Sequence, residues 1–113
     1  VQTVAPQLYG TVMKPSTAQE VGLMMENVVK DGTGTQAALA GIRVAGKTGT
    51  AQDCTNPASA ACARSQVWFI AYAPVVHPRI AIAVTLEHQL GFGGTVAAPI
   101  ARQVLQALLG SGA

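Results

Sequence analysis

Two alternating segments in the second half of the chain constrain its fold more than any other feature. In residues 79–86, RIAIAVTL, large aliphatic side chains alternate with alanine and threonine, which is the two-residue repeat of a strand with one bulky and one small face. Residues 66–73, QVWFIAYA, are rich in strand-forming residues, and PVVHP joins the two segments as a turn. The pattern predicts an antiparallel hairpin whose small face accepts a closely packed helix.

A predicted amphipathic helix precedes these strands. After an irregular lead-in over residues 1–15, Ser16 and Gln19 form a capping-box pattern, and the segment KDGTG ends the helix near Lys30. Its apolar side chains recur at helical spacing: Val21, Met24, Met25 and Val28. The spacing predicts about four turns of helix.

A second predicted helix follows the strands. Thr95 is suited to cap it, Pro99 falls in its first turn and Gly110 ends it. Its apolar stripe consists of Val96, Ile100, Val104 and Leu108. With a further strand over Ile42–Thr50, the order becomes helix, three antiparallel strands, helix. This order predicts an α+β fold, an antiparallel meander flanked by helices on one or both faces.

The composition argues against several classes of function. Half of the 113 residues are hydrophobic and only 11% are charged, which indicates a packed interior rather than a disordered chain. The seven basic residues form no run, so nucleic-acid binding has no support. No apolar run approaches the roughly 18 residues of a membrane helix, and the first ten residues do not resemble a signal peptide. We expect any membrane anchor to lie outside this chain.

Cys54 and Cys62 lie eight residues apart in a polar segment with loop signals. They are close enough to be bridged. A zinc site needs more ligands and a different spacing, and no histidine is nearby, so we expect no metal. The spacing predicts a disulfide if the protein is extracytoplasmic, with two free thiols as the alternative.

Residues 41–52, GIRVAGKTGTAQ, admit two interpretations of Lys47. The phosphate-binding pattern G-x-x-x-x-G-K-T matches, but it requires a helix to begin at the lysine, and the glycine and proline that follow prevent one. On a strand, Thr48 and Thr50 instead point to one side and Lys47 to the other, and Gly49 leaves room for a ligand backbone. Such an edge suits a carboxylate or an extended peptide. The alternative is that Lys47 is an ordinary solvent-facing strand residue.

The segment KTGTAQ, followed by WFIAYAP, IAIAVTLEH and GFGGTVAAPIARQVLQ, resembles in order and spacing the transpeptidase domain of class B penicillin-binding proteins. The resemblance runs through nearly all of residues 16–109 and concerns the C-terminal part of that domain. It implies the serine DD-transpeptidase and β-lactamase type of fold and no cofactor. It also implies an extracytoplasmic location, at the outer face of the bacterial cytoplasmic membrane. The implied partners are peptidoglycan stem peptides ending in D-Ala-D-Ala, β-lactam antibiotics and the remainder of the same domain.

The resemblance also implies roles for the strand residues. Lys47 supplies positive potential beside a serine, the hydroxyls of Thr48 and Thr50 hold the terminal carboxylate with Gly49 between them, and the N–H of Thr50 is an oxyanion-hole donor. The family's S-x-x-K and S-x-N motifs, which carry the nucleophile and its neighbour, are absent from this chain. We therefore expect residues 1–113 to be the C-terminal portion of one transpeptidase domain, inactive alone. The alternative is a penicillin-recognising sensor or a degenerate, non-catalytic wall-binding domain.

Overall fold

In the part of the chain that the structure describes, the fold is a three-stranded antiparallel sheet with one helix before it and one after it. The computed structural model describes residues 1–52, 54, 58 and 60–110. Its main elements are α1 (Pro15–Lys30), β1 (Ala45–Gln52), β2 (Ser65–Ala73), β3 (Ile80–Gln89) and α2 (Gly93–Leu109). Two short 3-10 turns, Thr35–Ala37 and Ala60–Ala63, precede β1 and β2. The predicted α+β class and the predicted meander are confirmed.

One face of the sheet forms the core. The strand order is β1-β2-β3, and Phe69 in the central strand lies opposite Thr48 of β1 and Val84 of β3, so these three side chains share a face. The side chains of β2 on this face are buried: Val67, Phe69, Ala71 and Ala73. The alternating side chains of β2, including Trp68 and Ile70, are partly exposed on the opposite face. The sheet therefore has one buried face and one largely solvent-exposed face, called the open face below.

Helix α2 packs against the core face through small residues. Its buried residues are Gly93, Gly94, Ala97, Ala98, Ala101 and Leu105. The predicted stripe is wrong as a packing face for three of its four residues, because Ile100, Val104 and Leu108 are exposed and Val96 alone packs against the core. The helix was also predicted on the small face of β3, yet the bulky side chains of β3 are the ones that pack against the core. A close approach is achieved because the helix, rather than the strand, supplies the small side chains.

Helix α1 lies along β1 and contacts Tyr72 on the opposite face through Gly22 and the core cluster through Val29. It begins at Pro15, whose fixed φ suits a first helical position, and no side-chain hydrogen bond caps it, so the predicted capping box at Ser16 is wrong. A Cβ at Gly22 would overlap the hydroxyl of Tyr72, so the helix approaches the sheet closely there. The buried residues of α1 are Gly22, Glu26 and Val29. The predicted apolar stripe is only partly covered, and Met24 is 61% exposed.

Strand β1 begins three residues later than predicted. Ile42 forms an isolated bridge with Leu39, and the carbonyl of Arg43 accepts a hydrogen bond from the N–H of Val75. Regular pairing with β2 starts at Ala45. Within the part of the chain that the structure describes, no helix has the length and apolar character needed to span a bilayer.

Candidate active site

Strand β1 has a free edge that carries the K-T-G-T motif, residues 47–50. Among the described residues it pairs with β2 alone. The carbonyl of Thr48 accepts a hydrogen bond from Lys47 Nζ at 2.7 Å, which indicates that this carbonyl points away from β2. The N–H and C=O groups of one residue point to the same edge of an antiparallel strand, and this direction repeats every two residues. The N–H of Thr50 therefore lies along the same free edge as the carbonyl of Thr48. The edge therefore presents backbone donors and acceptors beside an ammonium group.

The ammonium of Lys47 and the hydroxyl of Thr48 lie close together. Lys47 is exposed, and its Nζ is 3.3 Å from Thr48 Oγ1. Lys47 and Thr48 start from opposite faces of the strand, as predicted. The lysine side chain nevertheless bends around the strand edge, so that its ammonium reaches the hydroxyl of Thr48. Thr50, two residues further on, is exposed on the same face as Thr48. This local arrangement can bind an anion.

Thr33 is a further member of this cluster that the sequence interpretation missed. Its Oγ1 lies 2.9 Å from Thr48 Oγ1, across 15 residues of sequence. Thr33 lies in the turn after α1, within the KDGTG segment that was interpreted only as a helix end. A threonine in a turn carries no local signal of a hydroxyl partner, so this contact follows from the packing of α1 beside β1.

The glycines of the site are points of close backbone approach. A Cβ at Gly49 would lie 3.2 Å from the Cβ of Trp68. A Cβ at Gly93 would overlap the carbonyl oxygen of Trp68 and lie 2.8 Å from the carbonyl oxygen of Gly49. The start of α2 is therefore in contact with the main chain of β1 and β2, directly behind the K-T-G-T residues. That Gly49 also leaves room for a ligand backbone stays a prediction.

Glu26 and Arg43 form a bidentate ion pair that joins α1 to the segment leading into β1. Arg43 Nε and Nη2 each donate to one carboxylate oxygen at 2.6 Å. The side chain of Glu26 is 8% exposed and that of Arg43 is 54% exposed. The hydrogen bonds from Arg43 lower the pKa of Glu26 from its ordinary value, against the opposing effect of burial. The pair thus fixes where β1 begins relative to α1.

The structure joins Cys54 and Cys62 in a disulfide with a Cα–Cα distance of 5.3 Å. One cysteine follows β1 and the other precedes β2, so the bond closes the loop between these strands. In residues 1–52, 54, 58 and 60–110, no group of three or more histidine, cysteine or acidic side chains could hold a metal ion.

Comparison with known proteins gives consistent matches. A family model for the penicillin binding protein transpeptidase domain matches residues 2–106. The chain is 35% identical over 109 residues to stage V sporulation protein D of Bacillus subtilis, covering 94% of this chain and 17% of that protein. It is 38% identical over 108 residues to the probable peptidoglycan D,D-transpeptidase PenA of Neisseria gonorrhoeae, covering 92% of this chain and 18% of that protein.

Solved structures show the same relationship. The ceftriaxone acyl-enzyme complex of penicillin-binding protein A from M. tuberculosis matches with a TM-score of 0.73 and 35% identity, over 84% of this chain and 21% of that chain. The chain therefore spans about a fifth of the length of the relatives that it matches.

Proposed function

Because the chain belongs to the penicillin-binding protein transpeptidase family, as its motifs predicted, we propose that it forms the C-terminal, carboxylate-binding part of a serine D,D-transpeptidase. In this proposal the whole protein cross-links peptidoglycan stem peptides at the outer face of the bacterial cytoplasmic membrane. The serine nucleophile and the S-x-N motif belong to an N-terminal remainder of the same domain. Two of the relatives described above bear on this directly, since one is named as a probable peptidoglycan D,D-transpeptidase and the other is solved as an acyl-enzyme complex with ceftriaxone.

The observation that carries the proposal is the arrangement of Lys47, Thr48 and Thr50 along the free edge of β1. An ammonium and two hydroxyls suit the terminal carboxylate of a stem peptide, because hydrogen bonds to a charged acceptor are the strong ones. The free N–H of Thr50 suits an oxygen on which negative charge develops. The edge itself suits an extended peptide ending in D-Ala-D-Ala, and a β-lactam would bind there as a mimic of that end.

The proposed reaction is acyl transfer in two steps. The serine oxygen attacks the carbonyl carbon of the penultimate D-Ala, the bond to the nitrogen of the last D-Ala breaks, and the serine proton passes to that nitrogen, so free D-Ala leaves. An amine of a neighbouring stem peptide then attacks the resulting ester, forms the cross-link and regenerates the serine. Residues of this chain hold the leaving D-Ala by its carboxylate through Thr48 and Thr50. The N–H of Thr50 stabilises the oxyanion in both steps, beside the positive charge of Lys47.

Exposed apolar surface supports the part of the proposal that concerns a larger domain. Leu23 and Met24 of α1 are 54% and 61% exposed, and Ile70 on the open face of the sheet is 46% exposed. A groove of about 710 Å³ between α1 and this face is lined by Gly22, Leu23, Tyr72, Val75, Val76 and Ala81, among others. Soluble proteins rarely leave large apolar patches open to water. We propose that the remainder of the transpeptidase domain covers this surface.

Covalent labelling with a fluorescent penicillin tests the proposed function. We expect the full-length protein to be labelled at a serine that precedes residue 1, and the isolated chain 1–113 to stay unlabelled, because it contains neither S-x-x-K nor S-x-N. Labelling of the isolated chain on one of its own residues would refute the proposed division of the site. A full-length protein that binds no penicillin covalently would refute the transpeptidase function.

Rates of acylation by benzylpenicillin test the residue roles in the same experiment. Lys47→Ala should slow acylation by more than a hundred-fold, because it removes a positive charge beside the reacting groups. Thr48→Val and Thr50→Val should each slow it by about ten- to a hundred-fold, since each removes one hydrogen bond to a carboxylate and leaves the Thr50 N–H in place. Lys14→Ala removes an exposed lysine that precedes α1 and lies outside the K-T-G-T motif, and it is the control. A folded Lys47→Ala protein that acylates at the parental rate would show that Lys47 is an ordinary strand lysine.

A further inference from the structure

Two polar groups, Lys47 Nζ and Thr33 Oγ1, meet at the hydroxyl of Thr48. Lys47 Nζ lies 3.3 Å from Thr48 Oγ1, and Thr33 Oγ1 lies 2.9 Å from the same oxygen. Thr33 comes from the turn after α1 and is separate from the K-T-G-T motif. The hydrogen bond between the two threonines can run in either direction. The direction of this hydrogen bond decides whether the Thr48 hydroxyl is free to donate its hydrogen to a ligand.

Counting hydrogens and lone pairs fixes that direction when an anion is bound. A hydroxyl has one hydrogen to donate and two lone pairs that accept. The ammonium of Lys47 can only donate, so it occupies one lone pair of Thr48. A carboxylate can only accept, so Thr48 has to direct its single hydrogen toward it. Thr33 must then be the donor in its contact with Thr48, and this contact fills the second lone pair.

The backbone of Thr33 is held in place from two sides. The N–H groups of Gly32 and Gly34, its two neighbours, donate to the carbonyl of Val28 at 3.1 and 2.9 Å. On the other side, a Cβ at Gly94 would overlap the carbonyl oxygen of Thr33, so the first turn of α2 lies directly against this turn. The position of the Thr33 backbone, from which the hydroxyl projects, is therefore set by both helices before any ligand arrives.

We propose that Thr33 is a positioning residue for carboxylate binding: it donates a hydrogen bond to Thr48 and thereby orients the Thr48 hydroxyl toward the carboxylate of a stem peptide or a β-lactam. The inference rests on the proposed function, because it assigns a partner to the carboxylate-binding Thr48. Thr33 itself does not touch the substrate. Its contribution is larger for a charged ligand, since a carboxylate accepts the hydrogen bond of Thr48 more strongly than the neutral carbonyl of an ester does.

The test compares acylation of the full-length protein by benzylpenicillin and by its methyl ester, followed by intact-protein mass spectrometry. Thr33→Val keeps the shape of the side chain and removes the hydroxyl. We expect it to slow acylation by benzylpenicillin about two- to ten-fold, the effect of one neutral hydrogen bond, and to slow acylation by the ester by a smaller factor. Thr33→Ser, which restores a hydroxyl, should react at close to the parental rate. Thr35→Val makes the same change at an exposed threonine two residues away and is the matched control.

Each other outcome argues against the inference. Parental rates in Thr33→Val would overturn it, and so would equal slowing with benzylpenicillin and its ester, which would mark a general effect on the fold. If Thr33→Val melts at a lower temperature than the parent, Thr33→Ala repeats the comparison at this exposed position. A parental protein that benzylpenicillin does not acylate would overturn the proposed function and this inference together. A reactive parent with an unaffected Thr33→Val overturns the inference alone.

Discussion

Replacing Gly93 with alanine should damage both the fold and the candidate site. The added Cβ would overlap the carbonyl oxygen of Trp68 and would lie 2.8 Å from the carbonyl oxygen of Gly49. Both are backbone atoms, so no rotation of a side chain can relieve the overlap. Taking about 3.5 Å as a comfortable separation of non-bonded atoms, α2 or β1 has to move by roughly 0.7 Å at Gly49 and by more at Trp68.

The cost follows from the rigidity of these neighbours. Overpacking of a core typically costs about 1–3 kcal/mol, and we place Gly93→Ala near 3 kcal/mol because the main chain has to move. At about 2–4 °C per kcal/mol for domains of 150–250 residues, the melting temperature should fall by roughly 6–12 °C. A displacement approaching 1 Å beside Thr48 and Thr50 should also slow acylation by about a hundred-fold in the protein that remains folded.

The assay is a thermal melt of the full-length protein combined with its acylation rate by benzylpenicillin. Gly49→Ala is the matched control for the melt, because its Cβ would meet only a side chain, with the Cβ of Trp68 nearest at 3.2 Å, and needs an adjustment of only a few tenths of an ångström. Gly93→Ala should therefore melt well below Gly49→Ala. Equal melting temperatures, or a greater loss in Gly49→Ala, would refute the argument that α2 contacts the backbone here.

Two further predictions concern contacts around β1. Arg43 lowers the pKa of Glu26 below the unfolded value of about 4.3, so the stability that this carboxylate contributes is fully present above that pH and is lost as the pH falls through the lower folded pKa. Glu26→Gln should flatten the decrease in melting temperature between about pH 5 and pH 3, and parallel curves for variant and parent would contradict this. Replacing Cys54 and Cys62 with serine should lower the free energy of unfolding by about 2–3 kcal/mol, measured by urea denaturation. Alkylation of both thiols in natively exported, non-reduced protein would show that no bridge forms.

Periodicity in the sequence located the helices and strands but misjudged which helix faces are buried. The interpretation gave most weight to large apolar side chains, such as Ile100 and Val104 in α2, which are exposed. The faces that pack closely instead carry glycine and alanine, as at Gly22 beneath Tyr72 and at Ala101 in the core. Small residues contribute little to a hydrophobic pattern, yet they decide how near two elements can approach.

Long-range polar contacts were the other feature that the sequence did not predict. The K-T-G-T cluster could be predicted because its residues are neighbours on one strand, where the alternation of side chains is regular. Thr33 pairs with Thr48 across 15 residues, and Glu26 pairs with Arg43 across 17. Both contacts arise only after α1 has packed beside β1, and neither has a local spacing that would mark it.

The hydrogen bond from Lys47 to the carbonyl of Thr48 also bears on how copies of this protein meet one another. An unpaired sheet edge can recruit the same edge of a second molecule, which is a common start of aggregation, and charged lysines are a common protection against it. Here one edge acceptor is already occupied by an ammonium of its own strand. An identical incoming strand would have to displace that ammonium and place a second lysine near the first, where like charges repel. A peptide strand that ends in a carboxylate is instead attracted by the ammonium of Lys47. The same ammonium therefore favours binding of the ligand and disfavours self-association.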